Sequence, residues 1–369
     1  MNIGVNGIRL VTPKSGVGRY IENVLRCWND KPGLLEKVHV HTPLPMKETL
    51  PAICENIVTP ARGGFGAWEQ FQLPKAHGER DVLFCPSYIA PVRAKAPVVL
   101  VHHGSYEAYP EEFSWWTRWK SLQSFRMSAR RADVLITVSE NSRRDIAKYY
   151  KVSADKVHMI PEGVDTTLFR PLHDEAAARN FREKVLGADL PFFLFVGKPV
   201  RRRNIPAMLA AFKRLKEERK IPHKFVIIGS DLPGLPVGSV VREMNLEGDV
   251  VLRGYASHEE MTIAYNAAEC LVYPSSYEGF GMPVLEAMAC GTPAIALNNS
   301  AFPEFAGGVA LLAREGTADC LYDAMKSILD DDQMRRRMRE DGPARAAAYD
   351  WKLIAERTRI LIEELAARQ

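Results

Sequence analysis

The sequence has no run of about 18–20 apolar residues, the length a helix needs to span a bilayer, so none of it reads as a membrane span. Charge imbalance is slight, with 49 basic against 45 acidic residues leaving +4. That excess is too mild, and too poor in binding motifs, to point to RNA or DNA as a partner. Cys27, Cys54, Cys85, Cys270, Cys290 and Cys320 form no Cys-x-x-Cys and keep no regular spacing. Several lie in apolar runs, where a buried reduced thiol is the commonest state. Met1 to Leu10 lack a basic region followed by an apolar core, so no secretory leader is read there and a cytoplasmic location is expected. The full dinucleotide fingerprint is also missing, which weighs against a dehydrogenase.

What is present is a long, ordinary globular chain. Its 369 residues exceed what one core usually supports, so two domains are expected. Short apolar or β-branched runs recur between helical patterns. In the first half they are Ile3–Val5, Val38–His41, Val82–Phe84, Val98–Val101, Val134–Val138 and Val157–Ile160. In the second they are Phe192–Val196, Phe225–Ile228, Val250–Leu252, Cys270–Tyr273, Ala294–Leu297 and Val309–Leu312. Continuous apolar strands alternating with helices predict α/β domains with parallel sheets covered on both faces. Thr166 to Ala178 has little apolar periodicity and reads as the linker. Two Rossmann-like domains with a deep cleft between them follow, with residues 1–170 first, 171–345 second and a terminal segment 346–369. That segment predicts a helix with Leu353, Ile354, Ile360, Leu361 and Leu365 on one side.

The first domain opens with Ser15-Gly16-Val17-Gly18 ahead of an amphipathic pattern through Val17, Tyr20, Ile21, Val24, Leu25 and Trp28. Gly16 and Gly18 at a helix start let backbone N–H groups approach an anion. Taken alone, a Gly-x-Gly is equally a plain turn.

The most specific stretch runs from Tyr273 to Pro293. It reads as a strand end, a glycine loop, then a helix opening near Pro283 and closing at Gly291. The loop presents Glu278 and the N–H groups of Gly279, Phe280 and Gly281 at the carboxyl end of a strand, where open α/β sheets bind ligands. Glu286 falls in the first helical turn on this reading, within reach of the same pocket. A carboxylate suits sugar or ribose hydroxyls because it accepts two hydrogen bonds at once. Two arbitrary carboxylates are usually surface groups; the buried strand and glycine loop reverse that here.

After the first strand of the second domain come Lys198, Arg201, Arg202 and Arg203. A diphosphate leaving group needs positive charge, and this turn supplies it; a solvated basic turn is the plain alternative. His102 and His103 end the buried strand Val98–Val101 and read as polar groups steering a reacting sugar. A histidine after a strand is more often structural. Zinc is disfavoured because no partner ligand stands at suitable spacing. Asp330-Asp331-Asp332 reads as an exposed helix start rather than a metal motif.

Together these segments resemble the family-4 retaining glycosyltransferases of GT-B fold. Glu278 to Glu286 match that family's Glu-x7-Glu signature, and Gly197 to Asn204 look like its diphosphate loop, with Arg202 and Arg203 for the usual Arg-Lys pair. Ile136 to Glu140, Ile160 to Asp165, Phe169 to Pro171 and Pro303-Glu304 also fit. The resemblance implies that Glu278 contacts the donor sugar and Glu286 the ribose. It implies that Arg202 and Arg203, with Lys198, neutralise the diphosphate. His102 is implied near the anomeric centre, and Gly16 and Gly18 near the phosphates. The catalytic set is then His102, Glu278, Arg202 and Arg203. One departure is clear: the family often has Asp where this chain has His103. The resemblance also implies that residues 1–170 are the acceptor-side domain and 171–345 the nucleotide-sugar-binding domain, with a terminal helix in 346–369 returning to the first domain and hinges near 166–175 and 343–350.

The implied reaction moves a hexose, mannose favoured, from a GDP- or UDP-linked sugar to a glycan or lipid-linked acceptor in surface polysaccharide assembly. No metal or other cofactor is expected. Phe113 to Arg131 mixes three tryptophans with basic residues and can rest on an anionic bilayer at the inner face of the cell membrane. The plainer reading is a helix whose aromatics line the core or cleft. A nucleotide-sugar 2-epimerase of the same fold and a non-catalytic sugar-nucleotide scaffold are the rival functions. The Glu278–Glu286 segment fits transferases better, and a scaffold is expected to have lost Glu278, the arginines or His102.

Overall fold

The computed structural model describes residues 1–12, 16–104, 107, 109, 114–229 and 234–368. Ser15, Ser105 and Phe113 lie outside the described residues. The chain divides into two compact units, Met1–Gly163 with Trp351–Gln369, and Val164–Asp350.

The first unit holds seven parallel strands: β1 (Asn2–Asn6), β2 (Lys37–Thr42), β3 (Cys54–Val58), β4 (Val82–Cys85), β5 (Val98–His102), β6 (Val134–Thr137) and β7 (Val157–Met159). Their order is β3-β2-β1-β4-β5-β6-β7. Register is fixed at the centre, where Ile3 pairs with both Val38 and Val82. The central strands are buried on both faces, which explains their unbroken apolar runs. Val99 and Val101 pack toward Trp28 and Ile354, while Val98 and Leu100 pack toward Trp68, Phe125 and Tyr150. The strand β3 escaped the sequence reading for a physical reason: Cys-Glu-Asn-Ile-Val lies at the sheet edge, half-buried, with no continuous apolar run.

Helix Gly16–Asp30 buries the expected stripe of Tyr20, Ile21, Val24, Leu25 and Trp28. The Trp28 indole N–H donates to the Ala355 carbonyl at 2.9 Å, tying this helix to the terminal helix Trp351–Ala366. Of the face expected for that terminal helix, Ile354 is buried and Leu361 and Leu365 pack partly buried against the core. Trp351, Ile354, Ala355, Thr358 and Ile362 are buried, whereas Leu353 and Ile360 are exposed. Small Ala355 and Thr358 complete the packed stripe, which an apolar pattern alone does not register.

The second unit holds β8 (Phe192–Val196), β9 (Lys224–Ile228), β10 (Val250–Arg253), β11 (Cys270–Tyr273), β12 (Ala294–Leu297) and β13 (Leu311–Ala313), all parallel. Their order is β10-β9-β8-β11-β12-β13. Both sheets therefore have a switch point, where successive connections leave in opposite directions: β1/β4 in the first and β8/β11 in the second. Ligands of open α/β sheets bind at the carboxyl ends of strands at such points.

The unit boundaries differ from those expected at 170 and 345. Residues 164–170 pack on the second unit: the Val164 N–H donates to the Tyr349 carbonyl at 2.8 Å, and Phe169 is buried against Tyr265. The return to the first unit falls at Trp351, after Asp350, which meets the Thr166 hydroxyl within the second unit. The linker is also shorter than 166–178. Asp174 accepts from the Ala177 N–H at 2.9 Å, starting helix Glu175–Leu186.

Helix Trp115–Arg131 is capped by Ser114. Trp115, Trp116 and Trp119 are 74, 56 and 52% exposed, so at these three positions the aromatics do not line the core. Phe125 is the aromatic of this helix that is buried. Among the described residues, no helix is long and apolar enough to cross a membrane.

Candidate functional site

The second unit gathers its charged residues at the β8/β11 switch point. Gly197, just after β8, has φ +124°, and a Cβ there would fall 2.5 Å from Arg203 Nη1. Only glycine lets the loop turn this way with the guanidinium lying against it. Arg201–Arg203 make a single 3-10 turn. Asn204 follows in the left-handed conformation and donates from Nδ2 to the Pro274 carbonyl at 2.8 Å and to Ser276 Oγ at 2.7 Å. This amide fastens the loop after β8 to the loop after β11.

Glu278 is the centre of the joined loops. Its Oε1 accepts from Tyr273 Oη at 2.9 Å, Ser275 Oγ at 3.0 Å and Arg203 Nε at 3.0 Å. Its Oε2 faces Arg202 Nη2 at 3.7 Å. Arg202 Nε donates to the Tyr277 carbonyl at 3.0 Å, and Arg203 Nη1 to the Lys198 carbonyl at 2.9 Å. The Arg203 guanidinium also lies over the Tyr273 ring, 5.2 Å from its centre. Burial works to raise the Glu278 pKa, but Arg203 and Arg202 outweigh it, with the Tyr273 hydroxyl, and hold the carboxyl below its ordinary range. Burial likewise opposes the Arg203 charge, and Tyr273 and Glu278 outweigh that opposition. The result is two oriented cations and one ionised carboxylate at a strand mouth. Such a preorganised set suits an anionic leaving group beside a hydroxyl-bearing sugar.

The rest of the expected donor set is placed as follows. The Lys198 side chain is exposed on the same loop. Gly279 continues the chain, and the Phe280 ring is buried, stacked on Phe305 at 4.6 Å, so it anchors the loop from within. Gly281 has φ +111°, and a Cβ there would lie 2.5 Å from the Phe302 ring. Replacing Gly281 by alanine is expected to displace the loop and weaken nucleotide binding well beyond its effect on thermal stability. Calorimetric titration beside a melting curve checks this.

Glu286 departs from its expected place. Helix Met282–Ala289 begins a residue early, so Glu286 sits in the second turn, buried, accepting from Tyr265 Oη at 2.8 Å.

In the first unit, Gly16 opens its helix and Gly18 is buried in the first turn. His102 closes β5 with its ring boxed by Tyr88 at 4.9 Å, Phe125 at 5.3 Å and Tyr150 at 4.9 Å. Neither ring nitrogen has a hydrogen-bond partner among the described residues. Burial above all, then the neighbouring His103, pushes its pKa down to about 3, so the imidazole is neutral. His103 is the better-connected ring. Its Nδ1 lies 2.8 Å from Glu162 Oε1 and its Nε2 3.0 Å from the Pro86 carbonyl. A carbonyl only accepts, so Nε2 carries a proton. An acid absent from position 103 is thus supplied beside it by Glu162.

Sequence reasoning missed Tyr273, Ser275, Asn204 and Tyr265 as members of the site. Tyr273 and Ser275 stand two apart at a strand end, a spacing that turns both to one side. That was the available signal for them, whereas Tyr265 lies far off in sequence with none. Asp331 accepts from the Met334 N–H at 2.8 Å and so caps a helix, as read. Among the described residues, no group of three or more His, Cys, Asp or Glu is placed to hold a metal ion.

Two parallel-sheet α/β units, the second carrying an arginine–carboxylate network at its switch point, define a protein of the GT-B glycosyltransferase class. Residues 14–168 match Glycosyltransferase Family 4, and residues 177–345 match Glycosyl transferases group 1. The chain belongs to the family-4 glycosyltransferases. It is 30% identical over 284 residues to an MMP alpha-(1->4)-mannosyltransferase of Mycolicibacterium hassiacum, across 73% of this chain and 66% of that one. It is 28% identical to an O-antigen chain mannosyltransferase B of Escherichia coli, across 72% of this chain and 70% of that one. The chain thus spans just under two thirds of the first relative's length. The solved structure of Anabaena HepE in complex with UDP-glucose superposes over 100% of both chains with a TM-score of 0.80 at 17% identity, a likeness of fold.

Proposed function

We propose that this chain is a retaining, metal-independent hexosyltransferase, using a nucleotide-diphosphate sugar, GDP- or UDP-linked, as donor. The observation that carries the reading is the clasp of Glu278 by Arg203 and Arg202 at the β8/β11 switch point. As the bond from the anomeric carbon to the diphosphate breaks, negative charge grows on the leaving oxygen, and fixed guanidinium groups stabilise it without reorganising. Glu278 takes the donor sugar hydroxyls, Glu286 the ribose, and Lys198 and the N–H groups of Gly279 to Gly281 the remaining anionic surface. His102 offers a neutral imidazole near the reacting sugar, and Gly16 and Gly18 bring backbone close to the phosphates. Mannose is favoured because two relatives are named mannosyltransferases, one of them for O-antigen chains. The acceptor is accordingly a glycan or lipid-linked oligosaccharide of polysaccharide or glycolipid assembly.

Release of nucleoside diphosphate from GDP-mannose and UDP-hexoses, with and without mannosides and with excess EDTA, tests the reading. Acceptor-dependent release unaffected by EDTA is expected. Interconversion of the donor alone would indicate an epimerase, and binding without turnover a scaffold. Release abolished by EDTA would contradict the metal-free mechanism.

We further propose that Trp115, Trp116 and Trp119 rest on the anionic inner face of the cell membrane. Trp116 and Trp119 stack at 5.3 Å in the open, next to Arg118 and Lys120. Exposed indoles prefer the headgroup region, and nearby cations draw them to anionic lipid. Phosphatidylglycerol vesicles at low salt are expected to co-sediment the protein, and replacing the three tryptophans by serine to abolish this. Equal sedimentation of both proteins would contradict the contact.

A further inference from the structure

The second unit places its network at a switch point, and the first sheet has one of its own, between β1 and β4. A buried polar pair sits there that the donor reading does not use. Asn6 ends β1 and is fully buried; its Oδ1 accepts from the Ile8 N–H at 3.2 Å. That contact fixes which way the amide faces, so its Nδ2 donates to Glu69 Oε1 at 2.8 Å. Glu69 is carried on a π-helical turn, Trp68–Gln72, within the connection that leads into β4. Such turns cost helix geometry and cluster at functional sites.

This turn is held on both sides. The Trp68 indole N–H donates to the Thr59 carbonyl at 2.7 Å. Gln70 donates to the Ala90 carbonyl at 3.1 Å and accepts from the Val92 N–H at 3.0 Å. The carboxyl is therefore positioned rather than incidental. Two hydroxyls in the loops leaving β1 and β4, Thr12 Oγ1 and Ser87 Oγ, are buried with no hydrogen-bond partner among the described residues. Buried hydroxyls are nearly always paired, so each of these two calls for a partner.

We propose that Asn6 and Glu69 form a sugar-acceptor subsite, the Glu69 carboxylate receiving hydrogen bonds from hydroxyls of a hexosyl acceptor. This rests on the hexosyltransferase reading and adds the acceptor's contact to it. A carboxylate accepts hydrogen bonds from the hydroxyls of an uncharged ligand and repels phosphate. The charged and titratable groups facing Glu69 are Arg9, from the turn after β1, and the Cys85 thiol, at the end of β4. Burial raises the Glu69 pKa to about 7, against the pull of Asn6 and Arg9. Its capacity to accept two hydrogen bonds is thus lost as pH falls through neutrality.

The test uses the full chain with methyl α-D-mannopyranoside as probe, followed by saturation-transfer NMR, and thermal stabilisation by UDP and GDP in parallel. Wild type is expected to bind the mannoside, more weakly as pH falls through about 7. Glu69→Gln should weaken binding by about tenfold or more and remove the pH dependence. Glu69→Asp, which keeps the charge, should recover part of the affinity, with nucleotide stabilisation equal in all three proteins. Mannoside binding absent from wild type, or unchanged in Glu69→Gln, overturns the subsite while nucleotide stabilisation persists. Loss of that stabilisation in wild type overturns the donor reading instead. Should Glu69→Gln not fold, the wild-type pH dependence and Glu69→Asp decide.

Discussion

Arg203→Ala is expected to slow hexosyl transfer by about a hundred- to a thousandfold, the usual cost of losing one preorganised donor at a developing charge. Two effects combine. The diphosphate loses a cation that is held in place before the donor arrives, by Glu278 at 3.0 Å and by the Lys198 carbonyl at 2.9 Å. Glu278 also loses its nearest counter-charge while it stays buried, so burial drives its pKa upward and the sugar-binding carboxylate weakens. Glu278→Gln should cost a similar factor, because a neutral amide no longer orients either guanidinium. Arg201→Ala removes an exposed cation from the same turn and should cost far less. Transfer rates for the three variants, beside their melting curves, check the ordering. Equal losses for Arg201 and Arg203 would mean bulk charge matters and orientation does not.

Mild acid is expected to destabilise the protein steeply. His41, His77, His102 and His223 are held neutral by burial, with pKa values pushed down to about 3, 4, 3 and 4. At Gly4 two of these rings meet: a Cβ there would lie 2.2 Å from His77 Nδ1 and 3.1 Å from His41 Nε2. Protonating either ring places a cation against the other. The unfolded chain takes these protons near pH 6.5 and the folded one does not. Each buried ring therefore contributes stability that is complete above about pH 6.5 and is lost as pH falls toward 4. The loss is about 1.4 kcal/mol per pH unit for each histidine. Glu278, with its depressed pKa, acts in the same direction in more acid solution. Glu69 opposes them between about pH 7 and its ordinary value, because there the folded state binds the extra proton. Four rings outweigh one carboxyl. Urea midpoints should hold or rise slightly from pH 8 to about pH 6.5 and fall from there toward pH 4 (roughly the window of these shifts). His102→Phe, filling the same aromatic box without a titrating group, should shallow the decline by one histidine's share. A flat profile would mean the rings are solvated.

The two sheets were legible in the sequence because parallel strands buried on both faces leave unbroken apolar runs, as in Phe192–Val196 and Cys270–Tyr273. Half-buried β3, with Glu55 and Asn56 inside it, leaves none. In the terminal helix the apolar residues lie on more than one face, and Ala355 and Thr358 do part of the packing. At the site, Arg202, Arg203 and Glu278 were visible because charge beside glycine at a strand end is rare without a ligand to meet. Tyr273 and Ser275 were hidden inside an apolar strand and its loop. The partnership of His103 with Glu162 joins residues 59 apart in sequence. Neither spacing nor composition reports such a contact. Asn6 and Glu69 were invisible for the same reason, since only the sheet order brings β1 beside the connection into β4.

The most direct measurement of the central claim is thermal stabilisation of the purified chain by GDP, UDP and their sugars, without metal. The account predicts that one nucleotide series stabilises the protein, by about 2.7 kcal/mol at a hundredfold its dissociation constant. It predicts that Arg203→Ala removes the effect. No stabilisation by any nucleotide in wild type, or an undiminished effect in Arg203→Ala, would contradict a donor site at Arg202, Arg203 and Glu278.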